Sequence, residues 1–308
     1  MNFWLLITSI AFSWGLGTAV NYNLPIFNIQ EQNGQEVVLL SQKVISPSKE
    51  KIPHKEDNFS LGVKMTAQSA AVMDKNTGII LWQKNAQEVR SIASISKLMT
   101  VLVFLEHNPG WNQEITMLRE DETMGAVNDL LRGEVVTVRN LFYTALISSD
   151  NNSAKALARS TGLSEEEFVA EMNTKALDLG LKNTKFVEVT GLSEYNVSTA
   201  LEVLELAKVA FGNSEIKNAV SRRTYDFVAI SGKNHRVYST NHLLGSYLDI
   251  SAGKTGYIGA AGYCLVAQVI DKEKNPIISI VLGSSSNDDR FKDLKILSAW
   301  IFDNYNWY

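Results

Sequence analysis

Strand-length apolar runs stand at both ends of the folded part of this chain, with a long helical stretch between them, and that spacing admits few architectures. Ser69–Asp74 (SAAVMD) and Ile79–Gln83 (IILWQ) flank Lys75-Asn-Thr-Gly78, a turn composition that predicts a β-hairpin. Three further runs, Ala252–Ile258, Gly262–Ile270 and Pro276–Leu282, come near the C-terminus, joined by Gly259-Ala-Ala261 and Asp271-Lys-Glu-Lys-Asn275. Joints this short imply antiparallel neighbours. From Ser94 to about Phe211 the patterns are helical, over Leu98–Leu105, Val138–Ile147, Ser153–Arg159, Glu165–Leu179 and Thr199–Phe211. A last helical face runs through Phe291, Leu294, Leu297, Trp300 and Ile301. The expectation is an α+β fold: an antiparallel sheet built from both chain ends, flanked by helices, with a mostly helical subdomain inserted.

Length and charge narrow the function. A chain of 308 residues holds one large or two small domains. Its net charge of -4 supplies no basic field, so nucleic acid is not an expected partner. Cys264 is the single cysteine and sits in an apolar run, which excludes an intrachain disulfide and predicts a buried small side chain. His54, His107, His235 and His242 are scattered without metal-binding spacing, so neither metal nor cofactor is expected.

The first thirty residues carry no charged side chain, and Phe3–Val20 is largely apolar. Residues 1–20 read as a signal peptide, cleaved after Ala19, or as a retained membrane anchor, and either predicts export. Residues 21–65 read as a polar linker interrupted by Pro47 and Pro53, with the folded domain starting near Thr66 and running to Tyr308.

Lys97 is out of place by these patterns. It opens the run Leu98–Leu105, in which seven of eight residues are apolar, and burying an unpaired ammonium is costly. Ser94, three residues earlier, falls on the same helical face, within reach of the amine. The same Ser-x-x-Lys spacing recurs from Ser46, Ser48, Ser214 and Ser251, but only Ser94 opens a long apolar helix. There the positive dipole end and burial both disfavour a second positive charge, which would free Lys97 to act as a base.

Two further motifs follow. Ser149-Asp150-Asn151 breaks a helical pattern between Ile147 and Ser153, and Lys254-Thr255-Gly256 stands at a strand-turn region. Alone, the first reads as a helix cap and the second as a turn with a solvated lysine. In order, the three form the motif set of penicillin-binding proteins and class A β-lactamases.

Over Thr66–Phe302 the sequence resembles the D-alanyl-D-alanine carboxypeptidases, the low-molecular-mass penicillin-binding proteins of serine peptidase type. The likeness includes Ala93-Ser-Ile-Ser-Lys-Leu-Met-Thr100, Gly133-Glu-Val-Val-Thr-Val138, Thr190-Gly-Leu192, Thr240-Asn-His-Leu-Leu-Gly245 and Ala261-Gly-Tyr-Cys264. Several proteins of that family carry Ser-Gly-Asn at the second motif, so Asp150 is expected to be a harmless variation.

The resemblance implies a β-lactamase/DD-peptidase-like fold, with residues 66–308 as the catalytic domain. Lys97 would take the proton of Ser94, which attacks the carbonyl between two D-alanines of a peptidoglycan stem peptide and is likewise acylated by β-lactams. It further implies an oxyanion site at the backbone N–H groups of Ser94 and Tyr257, with Gly256, the last residue of the third motif, among the substrate-binding residues. Ser149 and Lys254 would relay a proton to the leaving amine, Asn151 would hold the substrate amide, and Thr255 would meet the terminal carboxylate. Lys254 is expected as a fixed charge that helps keep Lys97 neutral. Arg290, near the last helix, offers a candidate anion-binding residue, but it reads first as an exposed surface arginine. Three alternatives remain open: a DD-endopeptidase acting on cross-links, a class A-like β-lactamase, and a non-catalytic sensor or wall-binding domain. No E-x-x-L-N match lies between Asn152 and Gly253, and Glu188 is the nearest loop carboxylate.

Overall fold

Alternation along the paired strands puts two separate cores on the two faces of one sheet. Ser69–Asp74 is buried at every position, and its side chains divide by parity. Ala71 and Met73 join one core; Ala70 and Val72 join the other. A strand covered on both faces reads as a continuous apolar run, which is why SAAVMD lacks polar alternation.

The protein is described here from a computed structural model that defines residues 51–57, 60, 62–123 and 129–308. Strand β1 (Pro53–Lys55) precedes β2 (Ser69–Asp74), β3 (Ile80–Lys84) and the short β4 (Arg90–Ser91). The helical block contains α1 (Lys97–Glu106), the ribbon β5 (Glu114–Thr116) and β6 (Val135–Thr137), α2 (Val138–Ile147) and α3 (Asn151–Arg159). It continues through α4 (Glu165–Asp178), β7 (Val197–Ser198), α5 (Ala200–Gly212) and α6 (Ser214–Val220). A hairpin of β8 (Thr224–Val228) and β9 (Asn234–Tyr238) leads to β10 (Asp249–Ile258), β11 (Gly262–Ile270) and β12 (Pro276–Ser284). The chain closes with α7 (Asn287–Asn304) and β13 (Tyr305–Trp307).

The main sheet is antiparallel, in the order β10-β11-β12-β2-β3, so the N-terminal hairpin and the C-terminal meander meet where β12 pairs with β2. Helix α7 covers one face through Leu294, Leu297 and Ile301, against Ile277 and Val281 of β12. Helices α1 and α5 belong to the core on the other face, with Ile278, Ile280 and Leu282. This is the expected α+β arrangement. Helix starts follow side-chain caps: Thr137, Ser164, Thr199 and Ser286 each accept a backbone N–H of the first turn.

Three departures from the sequence reading have physical causes. The segment expected as a linker supplies β1, which pairs with β13 from Pro53↔Trp307 to Lys55↔Tyr305. Three residues carry too little pattern to reveal a strand whose partner lies at the other end of the chain. The β8–β9 hairpin is a further departure, because its alternation leaves six of its ten residues exposed and only Val237 fully buried, too little apolar pattern to mark a strand pair. Ser94 does not open α1 itself. It lies in a 3₁₀ turn, Ala93–Ser96, and α1 begins at Lys97. Residues 1–50, which include the apolar segment, lie outside the described residues, among which no helix is long and apolar enough to cross a membrane.

Candidate active site

The nucleophile turn, the α2–α3 junction and the edge strand β10 converge. Lys97 has no exposed surface, whereas Ser94 is partly exposed. Its Nζ lies 3.1 Å from Ser94 Oγ, 2.6 Å from Asn151 Oδ1 and 2.7 Å from the Thr190 carbonyl. All three neighbours are neutral. Burial is the main cause that lowers Lys97 to about 8, with Glu188 and Asp150 pulling it back up.

Lys254 stands on β10, almost fully buried, and its Nζ donates to Ser149 Oγ at 2.7 Å and to the Thr255 carbonyl at 3.0 Å. Burial, then Lys97 and Arg290, push it well below the usual lysine range. Arg290, which faces Lys254, is lowered by burial to about 10 and stays charged at neutral pH.

Arg290 is itself a correction, because it is 7% exposed rather than a surface residue. Its Nη1 donates to the Gly256 carbonyl at 3.1 Å and its guanidinium lies over the rings of Tyr263 and Phe291. Phe291, next to it on the last helical face, was the available signal; Tyr263 and Gly256 meet it only in three dimensions.

The backbone here is strained and tightly fitted. Ala93, just before the nucleophile, and Ser149 have φ of 48° and 65°, the left-handed region, which costs a non-glycine residue about 1–3 kcal/mol. Gly256 permits close approach of β10: a Cβ there would stand 2.8 Å from the Ile92 carbonyl oxygen and 3.2 Å from Ser94 N. Tyr257, the next residue, is half exposed and stacks on Tyr263 at 4.2 Å. Thr255 is buried and its Oγ1 lies 2.5 Å from Thr240 Oγ1.

Asp150 has a structural task at the second motif. It caps α3, accepting from Ser153 N at 2.5 Å and from Asp129 N at 2.8 Å, and so fixes the turn that presents Ser149 and Asn151. All eight residues singled out in the sequence thus lie on the three converging elements. Among the described residues no cluster of His, Cys, Asp and Glu is arranged to hold a metal.

A family model for D-alanyl-D-alanine carboxypeptidase matches residues 53–286. The chain belongs to that family. As a member of the D-alanyl-D-alanine carboxypeptidase family, the protein is a serine hydrolase. Among its relatives is a D-alanyl-D-alanine endopeptidase of Haemophilus influenzae, 34% identical over 218 residues, which are 70% of this chain and 74% of that protein. Another is the D-alanyl-D-alanine carboxypeptidase DacF of Bacillus subtilis, 33% identical over 245 residues, 78% of this chain and 63% of that one. The chain also superposes on penicillin-binding protein D2 from Listeria monocytogenes in its cefotaxime-bound form. That match has a TM-score of 0.70 and 31% identity, covering 79% of this chain and all of the other.

Proposed function

We propose that Ser94 and Lys97 are the nucleophile and base of a carboxypeptidase that removes the terminal D-alanine from peptidoglycan stem peptides. One observation carries this reading: the hydrogen-bond inventory around Lys97. A neutral amine has two N–H donors and one lone pair. Asn151 Oδ1 and the Thr190 carbonyl take the two donors, which directs the lone pair at Ser94 Oγ. Ser94 then donates its proton to Nζ as Oγ adds to the carbonyl between the D-alanines.

Ser149, 2.7 Å from Lys254 Nζ, is the relay to the departing amine. The backbone N–H groups of Ser94 and Tyr257 receive the oxyanion. β10 is an edge strand beside the nucleophile, so an extended peptide pairs along it as a further strand, with Asn151 on its amide and Thr255 and Arg290 toward its carboxylate. Water then hydrolyses the acyl-serine. β-Lactams acylate the same serine, and the cefotaxime-bound relative supports this.

The test is mass spectrometry of the chain treated with a fluorescent penicillin and with a pentapeptide ending in D-Ala-D-Ala. A single adduct at Ser94 and release of D-alanine are expected. Labelling that persists in Ser94→Ala would overturn the assignment.

A second reading, cleavage of cross-links by the same serine, draws on the relative named as an endopeptidase. Digestion of muropeptide dimers beside the pentapeptide decides the preference. Hydrolysis of β-lactams finds little support, because Glu188, the nearest loop carboxylate, is occupied by donors of its own loop. A non-catalytic sensor or wall-binding domain would have no use for a nucleophile held against its base.

The proposed substrate supports an exported enzyme, acting in the periplasm or on the outer face of the cytoplasmic membrane. The uncharged apolar run Phe3–Val20 supports export, as a signal peptide or as an anchor. Cell fractionation with N-terminal sequencing of the mature chain separates the two.

A further inference from the structure

Glu188 has a second set of connections, which leads to Lys97. Its carboxylate accepts five hydrogen bonds: from Thr190 N and Oγ1 and Gly191 N, each at 2.6 Å, from Asn196 Nδ2 at 2.9 Å, and from Ser193 N at 3.3 Å. Gly191 N–H and the Thr190 carbonyl are the two ends of one peptide group. In a trans peptide they point in opposite directions. Here the N–H points to Glu188 and the carbonyl accepts from Lys97 Nζ at 2.7 Å.

The same loop backs the nucleophile. Gly191, at φ +84°, lies so close that a Cβ there would stand 2.2 Å from the Ala93 carbonyl oxygen and 2.7 Å from Ser94 N. Val189 O accepts from Thr100 Oγ1 of α1 at 2.7 Å, one turn beyond Lys97. We propose that Glu188 is a positioning residue for the reaction: through the Thr190–Gly191 peptide group it orients and polarises the carbonyl that holds Lys97, and it keeps Gly191 seated behind Ser94. This rests on the reading of Lys97 as base. A carboxylate on the amide N–H polarises the peptide and makes its carbonyl a stronger acceptor, so the two hydrogen bonds reinforce each other.

The titratable groups facing Lys97 are Glu188, Asp150 at the cap of α3, and Lys254 on β10. Glu188 raises Lys97, so removing its charge must move the acid limb of the acylation profile to lower pH. The experiment measures acylation by a fluorescent penicillin against pH in the full chain, for wild type, Glu188→Gln, Glu188→Asp and Lys97→Ala, with thermal unfolding alongside. Glu188→Gln places a donor among donors. We expect its plateau to fall roughly tenfold to hundredfold and its limb to shift to lower pH. Glu188→Asp keeps the charge but is one methylene too short to hold both Thr190 and Gly191, so its plateau falls while its limb stays. This variant also decides the matter if the glutamine form does not fold.

Wild-type plateaus in both variants, or a lowered plateau with an unmoved limb in Glu188→Gln, would overturn the proposal. Acylation at the wild-type rate in Lys97→Ala would remove the base assignment, and this proposal with it. An inert Lys97→Ala beside unaffected Glu188 variants would sink the positioning role alone.

Discussion

Lys97 has three neutral polar neighbours within hydrogen-bond reach and no exposed surface, so its environment rather than its identity makes it a base. Lowering the amine from 10.5 to about 8 raises its neutral fraction at pH 7 by about 300-fold. Only the neutral form accepts the serine proton. Acylation is therefore expected to increase as pH rises through about 8, measured as penicillin labelling rate against pH. Lys97→Arg keeps a charge that cannot be given up and should be nearly as inert as Lys97→Ala. Activity in the arginine variant within about tenfold of wild type, roughly 1.4 kcal/mol in barrier, would show that the base lies elsewhere. Arg290 makes the opposite demand, for a cation that stays charged. Arg290→Lys loses the fork that spans the Gly256 carbonyl and Asn287 and also its place over two rings. D-Alanine release should fall about tenfold in that variant at pH 7, with a lower melting temperature; unchanged kinetics would reduce Arg290 to a packing role.

At the scale of elements, the site depends on β10 lying against the 3₁₀ turn of the nucleophile. Gly256 is the point of contact. Gly256→Ala would set a Cβ against the Ile92 carbonyl, and since backbone yields less readily than a side-chain tip, β10 and the turn must separate. Acylation should then fall roughly hundredfold while the far-ultraviolet spectrum stays native, because the rest of the sheet is undisturbed. A rate near wild type would mean that the two elements tolerate the gap. The helices of the inserted block were legible in the sequence because their apolar positions repeat at the helical period and polar caps mark their starts. Their packing partners were not. Asn151 reaches Lys97 across 54 residues and Lys254 reaches Ser149 across 105, distances over which no local pattern carries information.

For the whole molecule, closure of the two chain ends is the remaining test. β1 pairs with β13, Trp307 Nε1 donates to Asp74 Oδ2 at 2.8 Å, and Asp293 of α7 accepts from Thr66 N, Thr66 Oγ1 and Ala67 N. A chain starting at Thr66 lacks β1 and leaves the β13 edge unpaired. Compared with one starting at Lys51, it should melt about 3–6 °C lower and still be acylated, since the site is built from other elements. Equal melting temperatures would show that β1 adds nothing to stability.

The sequence by itself determined which chemistry was available and where on the chain it stood. Ser94, Lys97, Ser149, Asn151 and the Lys254–Tyr257 stretch were identifiable because each motif is local, and the sheet was foreseeable because short joints pair the strand runs within each end and leave an edge on each group for the other. What the tertiary structure decided was how those groups are charged and aimed. Lys97 is lowered because surrounding elements exclude water from it, and Lys254 because it is buried, with Lys97 and Arg290 beside it. Arg290 moves from the surface to the interior because Tyr263, Phe291 and the Gly256 carbonyl form a place for it. Solvation and direction belong to the space between elements, and that space exists only once the chain has folded.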